Sequence, residues 1–340
     1  MSCVLNLYAI RSLERILKTP EADIRAIAAR PEPYYQPFSS RRKRRPFQRE
    51  TQIRKPRRID NPTGLLKLLQ GRIYRRLLAR LDFPDHIFGG VKGRSALDNA
   101  RSHRGTRLLV TMDVRDCFPS ITAAHVYMVW RQLLNCSDEI ALLLTNLTTF
   151  EGYLPQGAPT STALANLVIY SLDEPIRLAC AASGVRYSTL VDDLALSGDR
   201  GRELINYAVA VFRAAGLSMP HRKLRIMGGG SRKILNGHIV CKNPGVPRER
   251  IKWARSGIHK LDTGEVPARW LPEYLQRLRG TISHISSVNP RAGSRLLRNL
   301  ESALARINEE LPPGPFRCVP SQESTFLLPP RNGVPIEIHE

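Results

Sequence analysis

The sequence predicts an α+β fold, an antiparallel sheet with helices packed against it. Three observations lead there. Two β-prone runs, residues 186–191 and 194–197, flank the pair Asp192-Asp193, which reads as strand, tight turn and strand. A short apolar run from Leu108 ends in Asp113 and is closed by Pro119, so a further strand carries an acid at its end. Elsewhere apolar residues recur at helical spacing between Gly and Pro punctuation.

In chain order, Leu5, Ile10, Leu13, Ile16, Leu17, Ile24 and Ile27 give helical spacing over residues 3–30, and Pro31 and Pro33 end that unit. A basic stretch follows: ten of the 18 residues from Arg41 to Arg58 are Lys or Arg, against one acid, Glu50. Phe47, Thr51 and Ile53 alternate there as in a strand, which predicts a hairpin; the other reading of such a run is a solvated loop. Residues 63–81 form an amphipathic helix with Leu65, Leu66, Leu69, Ile73, Leu77 and Leu81 near one stripe. The run from Phe88 to Ser95 is rich in Gly and basic but lacks a P-loop ending, and is expected to be a flexible loop near nucleic acid. Helices are expected near 124–150 and 159–180. Between them Pro155, Gly157 and Pro159 enforce a rigid turn, and the helix start that follows offers backbone N–H groups to an anion or nucleotide. After a Gly228-Gly229-Gly230 turn, Lys233 to Val240 reads as a strand in which Gly237 allows close approach to a nucleic-acid backbone. Residues 248–306 read as helical, with 12 Lys/Arg against five Asp/Glu, a charged bundle or a surface for duplex phosphates. Residues 311–340 are rich in proline, a tail or a docking strap.

Composition narrows the partners. A net charge of +22 and a pI near 10.4 call for a polyanion. An anionic membrane surface is the other taker of such charge, but no apolar run reaches the ~20 residues that span a bilayer. Arg11, Glu14 and Arg15 interrupt the first apolar run, against a signal peptide. Six cysteines are scattered, without zinc spacing or a disulfide framework, which fits a reducing cytoplasm.

Adjacent carboxylates repel, so Asp192 and Asp193 are either a solvated turn or a cation site. Hard oxygen ligands suit Mg²⁺. With Asp113, three acids from two strands can hold two ions that activate an attacking hydroxyl and stabilise a leaving pyrophosphate. Asp116, three residues further on, suits a turn.

These segments together resemble reverse transcriptases, and within them the bacterial retron type. Asp113 followed by Phe118-Pro119-Ser120 looks like the first palm motif, and the run from Leu154 to Ser161 is similar to the Pro-Gln-Gly motif. Leu190-Val191-Asp192-Asp193 looks like the catalytic box, with Leu190 where the family usually has Tyr. Lys223 falls where the family carries a palm lysine, and Asn99-Ala100-Arg101-Ser102-His103 fits the Asn-Ala-x-x-His marker of retron enzymes. Their Val-Thr-Gly marker is present only as Leu235-Asn236-Gly237.

The resemblance implies a right-hand polymerase: an N-terminal helical segment at 1–33, fingers at 34–107, palm at 108–240, helical thumb at 241–310 and tail at 311–340. It implies that Asp113, Asp192 and Asp193 hold two Mg²⁺ ions, and that Phe118 lies beneath the sugar and favours dNTPs. Gln156 would position the nascent pair, and Lys223 would act at the pyrophosphate. Arg57 and Arg58 are candidates for the triphosphate; Asn99, His103 and Gly237 for RNA. It further implies a structured noncoding RNA as template and primer, a branched RNA–DNA product, and antiphage defence with an effector protein. Two other readings stay open at this point: a defence polymerase of the abortive-infection type, and a nonenzymatic RNA-binding scaffold, from which one would expect a missing carboxylate.

Overall fold

The computed structural model describes residues 4–40 and 56–310, so the basic stretch with Phe47, Thr51 and Ile53, and the proline-rich segment 311–340, lie outside the described residues. The chain divides into two units, residues 1–245 and 246–340.

In the first unit, the N-terminal apolar spacing resolves into two helices, α1 (Ile10–Leu17) and α2 (Glu21–Ala29). Lys18 turns into the left-handed region at φ 48° and Pro20 caps the next helix, so one helix cannot run through. Strand β1 (Tyr35–Ser40) pairs antiparallel with β2 (Arg57–Pro62). Helix α3 (Gly64–Arg76) buries Leu66, Leu69 and Ile73 and continues as a 3₁₀ turn, Leu78–Arg80. Helix α4 (Ala96–Ser102) opens on a reciprocal capping box between Ser95 and Asp98.

Strand β3 (Leu109–Asp113) leads through a short α5 (Cys117–Ser120) into α6 (Ala123–Met128), α7 (Asp138–Thr148) and the long α8 (Ser161–Ala182). The single helix expected near 124–150 is broken because Asn135 adopts φ 55° and Ser137 caps α7 through the Ile140 N–H. Strands β4 (Arg186–Leu190) and β5 (Asp193–Ser197), helix α9 (Ile205–Ala214) and β6 (Arg225–Met227) complete the layer. The sheet is antiparallel in the order β4-β5-β3-β6. Alternation then builds three layers. Val110, Met112, Tyr187, Leu194 and Leu196 enter the main core with Leu164, Leu167 and Phe212 of α8 and α9. Leu109 and Ala195, on the opposite face, pack with Ala100 of α4 and with Leu235 and Val240. Each fully buried Leu contributes roughly 1.5–3 kcal/mol.

The strand expected over 233–240 is instead a small hairpin, β7 (Ile234–Leu235) and β8 (His238–Ile239). Asn236 at φ 47° and Gly237 at φ 85° make its two-residue turn. Both central residues of such a turn need positive φ, which Asn-Gly tolerates best. Gly237 therefore serves the turn.

In the second unit α10 (Arg248–Asp262), α11 (Leu271–Val288) and α12 (Pro290–Glu310) pack pairwise around Leu261, Leu278, Ile282, Ile285 and Leu300. Lys252, Arg255, Arg279, Arg291, Arg295 and Arg298 are on its exterior. No helix among the described residues is long and apolar enough to cross a membrane.

Candidate active site

The three acids meet through strand register. Asp113 ends β3 and lies opposite Asp193, the first residue of β5. Leu190 and Asp193 close the β4–β5 hairpin, leaving Val191 and Asp192 as its turn. Val191 has φ 58°, a costly region for a β-branched side chain. The surroundings hold the turn there: the Val114 N–H donates to the Asp192 carbonyl at 3.0 Å.

The glycine-rich loop provides a second brace, which corrects the expectation of a flexible loop. The Thr189 N–H donates to the His86 carbonyl at 2.8 Å, and the Phe88 N–H donates back to the Thr189 carbonyl at 2.9 Å. Asn166 Nδ2 donates to the Gly89 carbonyl at 2.5 Å. A Cβ on Gly89 would lie 2.4 Å from the Val191 nitrogen, so only glycine lets the loop close against the turn.

The electrostatics are those of crowded anions. Burial, followed by the charges of Asp192 and Asp113, pushes Asp193 up to about 6. Burial and the Asp113 charge also raise Asp192, while Lys223 and Arg57 act to lower it. The Lys223 ammonium is ion-paired with Asp113. Among the described residues no group of three or more His, Cys, Asp or Glu side chains forms a ready metal cage; Asp113 is engaged by Lys223. The donor chemistry nonetheless fits Mg²⁺, since all three groups are carboxylates and their charges are incompletely balanced.

The remaining candidates divide. Phe118 sits on α5, half-buried against the main core, five residues past Asp113. The Gln156 carbonyl accepts from the Asp60 N–H at 2.9 Å, tying the Pro-Gln-Gly loop to β2. Arg58 is engaged by Asp60 at 2.7 Å and Glu151 at 2.9 Å, which ties β2 to the turn after α7. Arg57 is exposed and its charge reaches Asp192. Asp116 is exposed at φ 43° and caps α5, as a turn residue should.

Asn99 and His103 require a correction. Both were expected to contact RNA, and both side chains are fully buried. They are four residues apart at one side of α4, which turns them inward onto the sheet. His103 bonds Ser188 and Ser197 at 2.6 Å each, and Asn99 bonds Ser188 and Asn236. Burial, and next the Arg186 charge, lower His103 to about 4, so it is neutral. Sequence reasoning missed Asn236, whose amide donates to Asp193 at 3.0 Å. Its signal was the Asn-Gly pair between β-prone residues, the strongest short hairpin mark.

An antiparallel sheet that brings three acids to one end of its two central strands, over a long buried helix, is the palm of a nucleic-acid polymerase. Residues 43–252 match the family described as "Reverse transcriptase (RNA-dependent DNA polymerase)". The chain is 31% identical over 245 residues to Retron Ec86 reverse transcriptase of Escherichia coli, covering 71% of this chain and 74% of that one. It is 30% identical to Retron Se72 reverse transcriptase of Salmonella heidelberg over 43% of this chain and 39% of the relative. With Retron Mx162 reverse transcriptase of Myxococcus xanthus it shares 28% over 72% of this chain and 57% of the relative. It thus spans under two thirds of the latter two. Among solved structures, telomerase from Candida albicans with a fragment of telomeric RNA aligns at a TM-score of 0.43 and 8% identity, over 76% of this chain and 63% of that one. The chain belongs to the reverse transcriptases, RNA-dependent DNA polymerases of the retron type.

Proposed function

We propose that this reverse transcriptase copies a dedicated structured noncoding RNA into DNA, using Asp113, Asp192 and Asp193 to hold two Mg²⁺ ions. The observation that carries the reading is the register that sets Asp113 opposite Asp193, with Asp192 in the adjoining turn. Mg²⁺ bound there would lower the pKa of the attacking hydroxyl and balance charge on the leaving pyrophosphate. Lys223, once Asp113 has a cation to neutralise it, would meet the triphosphate with Arg57. Phe118 closes the space a ribose 2′-OH would need, and the loop carrying Gln156 supports the nascent pair. The basic exterior of α10–α12 grips the duplex through phosphate, without reading sequence.

The finer reading we infer is a dedicated RNA that both primes and templates, a branched RNA–DNA product, and a part in antiphage defence beside an effector protein. Sequencing the nucleic acid that copurifies with the chain tests this. One RNA joined covalently to DNA is expected. A broad mixture of cellular RNA, with equal affinity for the RNA encoded beside the gene and an unrelated structured RNA, would defeat the retron-specific part and leave a polymerase of another defence class.

A further inference from the structure

Behind Asp193 runs an ordered set of polar side chains. Asn236 Nδ2 donates to Asp193 Oδ2 at 3.0 Å. Asn99 Nδ2 donates to Asn236 Oδ1 at 2.7 Å, and the Ser188 hydroxyl donates to Asn99 Oδ1 at 2.6 Å. His103 Nε2 meets Ser188 and its Nδ1 meets Ser197, each at 2.6 Å. The residues come from α4 and its C-cap, β4, β5 and the β7–β8 turn, and all but Asn236 and Asp193 are fully or almost fully buried.

The direction of every bond follows from one end. An ionised carboxylate only accepts, so Asn236 must turn its nitrogen to Asp193 and its oxygen to Asn99. Asn99 must then offer nitrogen to Asn236 and oxygen to Ser188. The single Ser188 proton is committed to Asn99, so the Ser188 oxygen accepts from His103 Nε2–H. A neutral imidazole carries one proton, so Nδ1 accepts from the Ser197 hydroxyl. Five successive donors point toward Asp193, and each bond polarises the next. The hairpin contributes directly: Asn236 at φ 47° and Gly237 at φ 85° form the turn that aims the amide at the acid.

We propose that Asn236, held by Asn99 and the Ser188–His103–Ser197 chain behind it, is a positioning residue that fixes the Asp193 carboxylate for cation binding. This rests on the reading of Asp193 as a metal-holding acid. The Asn-Ala-x-x-His segment thereby acts on the reaction from behind the sheet.

Asn236→Gly is the test, because glycine keeps the left-handed turn and removes only the amide. Two measurements are made on the full chain: Mn²⁺ binding without nucleotide, from the free-ion EPR signal, and the Mg²⁺ midpoint of primer extension. Loss of an outer-shell partner typically costs tenfold or more in metal affinity. Mn²⁺ affinity should fall and the Mg²⁺ midpoint rise by about that factor, with RNA affinity unchanged and extension restored at high Mg²⁺. Asn99→Ala and Ser188→Ala should shift both in the same direction by less. Asn99→Ala combined with Asn236→Gly should add little to Asn236→Gly alone, because the residues act in series. Unchanged Mn²⁺ affinity and Mg²⁺ midpoint in Asn236→Gly and Ser188→Ala would overturn the proposal, as would a loss of extension that no Mg²⁺ concentration restores. Asp193→Ala is the control: full extension by that variant would overturn the metal-site reading itself, whatever Asn236→Gly does.

Discussion

The two faces of the β4-β5-β3-β6 sheet are made by alternate residues of the same strands, yet they obey different rules. Val110, Met112, Leu194 and Leu196 face one way into a continuous apolar core. Asp113, Asp193, Ser188 and Ser197 belong to the other face, covered by α4 and the β7–β8 hairpin. The first face needs partners of a kind: apolar side chains of suitable volume. The second needs particular atoms, since each donor must find its acceptor and each charge its counter-charge. Damage should therefore appear as lost stability on the first face and as lost chemistry on the second.

The largest effect expected lies at the acids. Asp192→Ala with Asp193→Ala should reduce dNTP incorporation to background in a primer-extension assay while RNA affinity, measured by filter binding, is unchanged. Retained polymerase activity would remove the acids from the chemistry and erase the contrast between the faces. On the apolar face, Leu196→Ala leaves a cavity in the main core and should cost about 2–5 kcal/mol. Denaturant unfolding reads that loss, and extension per folded molecule should stay near that of the parent. A variant that kept its stability but lost its chemistry would break the division.

His103 sharpens the comparison, because a buried titratable ring on the polar face adds a pH-dependent stability contribution to that face's chemistry. Its folded pKa is lowered to about 4 from 6.5, so the folded state favours the neutral ring. The unfolded chain takes up the proton first as pH falls, so this contribution is fully present above 6.5 and is lost progressively toward 4. The full span corresponds to at most about 3 kcal/mol. His103→Gln should flatten the stability difference between pH 7 and pH 4.5 by a fraction of that, measured as the difference between parent and variant unfolding curves. Parallel curves would show that burial does not hold the ring neutral. The smallest effect is at Phe118. Phe118→Ala should raise incorporation of rNTP relative to dNTP by on the order of tenfold, the scale of one added or removed steric contact. An unchanged ratio in an otherwise active enzyme takes Phe118 out of sugar selection.

Much of the apolar face was legible in the chain. Strand alternation repeats every two residues, helix stripes recur at three and four, and Pro20, Asn135 and Ser137 are local marks where helices stop and start, though continuous apolar spacing runs across them. The acids were legible too, because carboxylates at strand ends are costly without a cation. The rigidity of Gly89 is not legible locally, because its neighbour, Val191, lies 102 positions along the chain.

The sequence by itself determined the α+β class, the position of three acids at strand ends and the demand for a polyanionic partner, since each rests on spacing and charge within a short window. Tertiary structure alone decided that Asn99 and His103 face inward, that Arg58 ties β2 to the turn after α7, and that Asn236 reaches Asp193. Asn99 and Asn236 are 137 residues apart, and only the packing of α4 and the β7–β8 hairpin on one sheet face brings their amides within 2.7 Å. Hydrogen bonds act over that range and no farther, so their partners are set by where the fold puts each atom, which no local pattern of residues encodes.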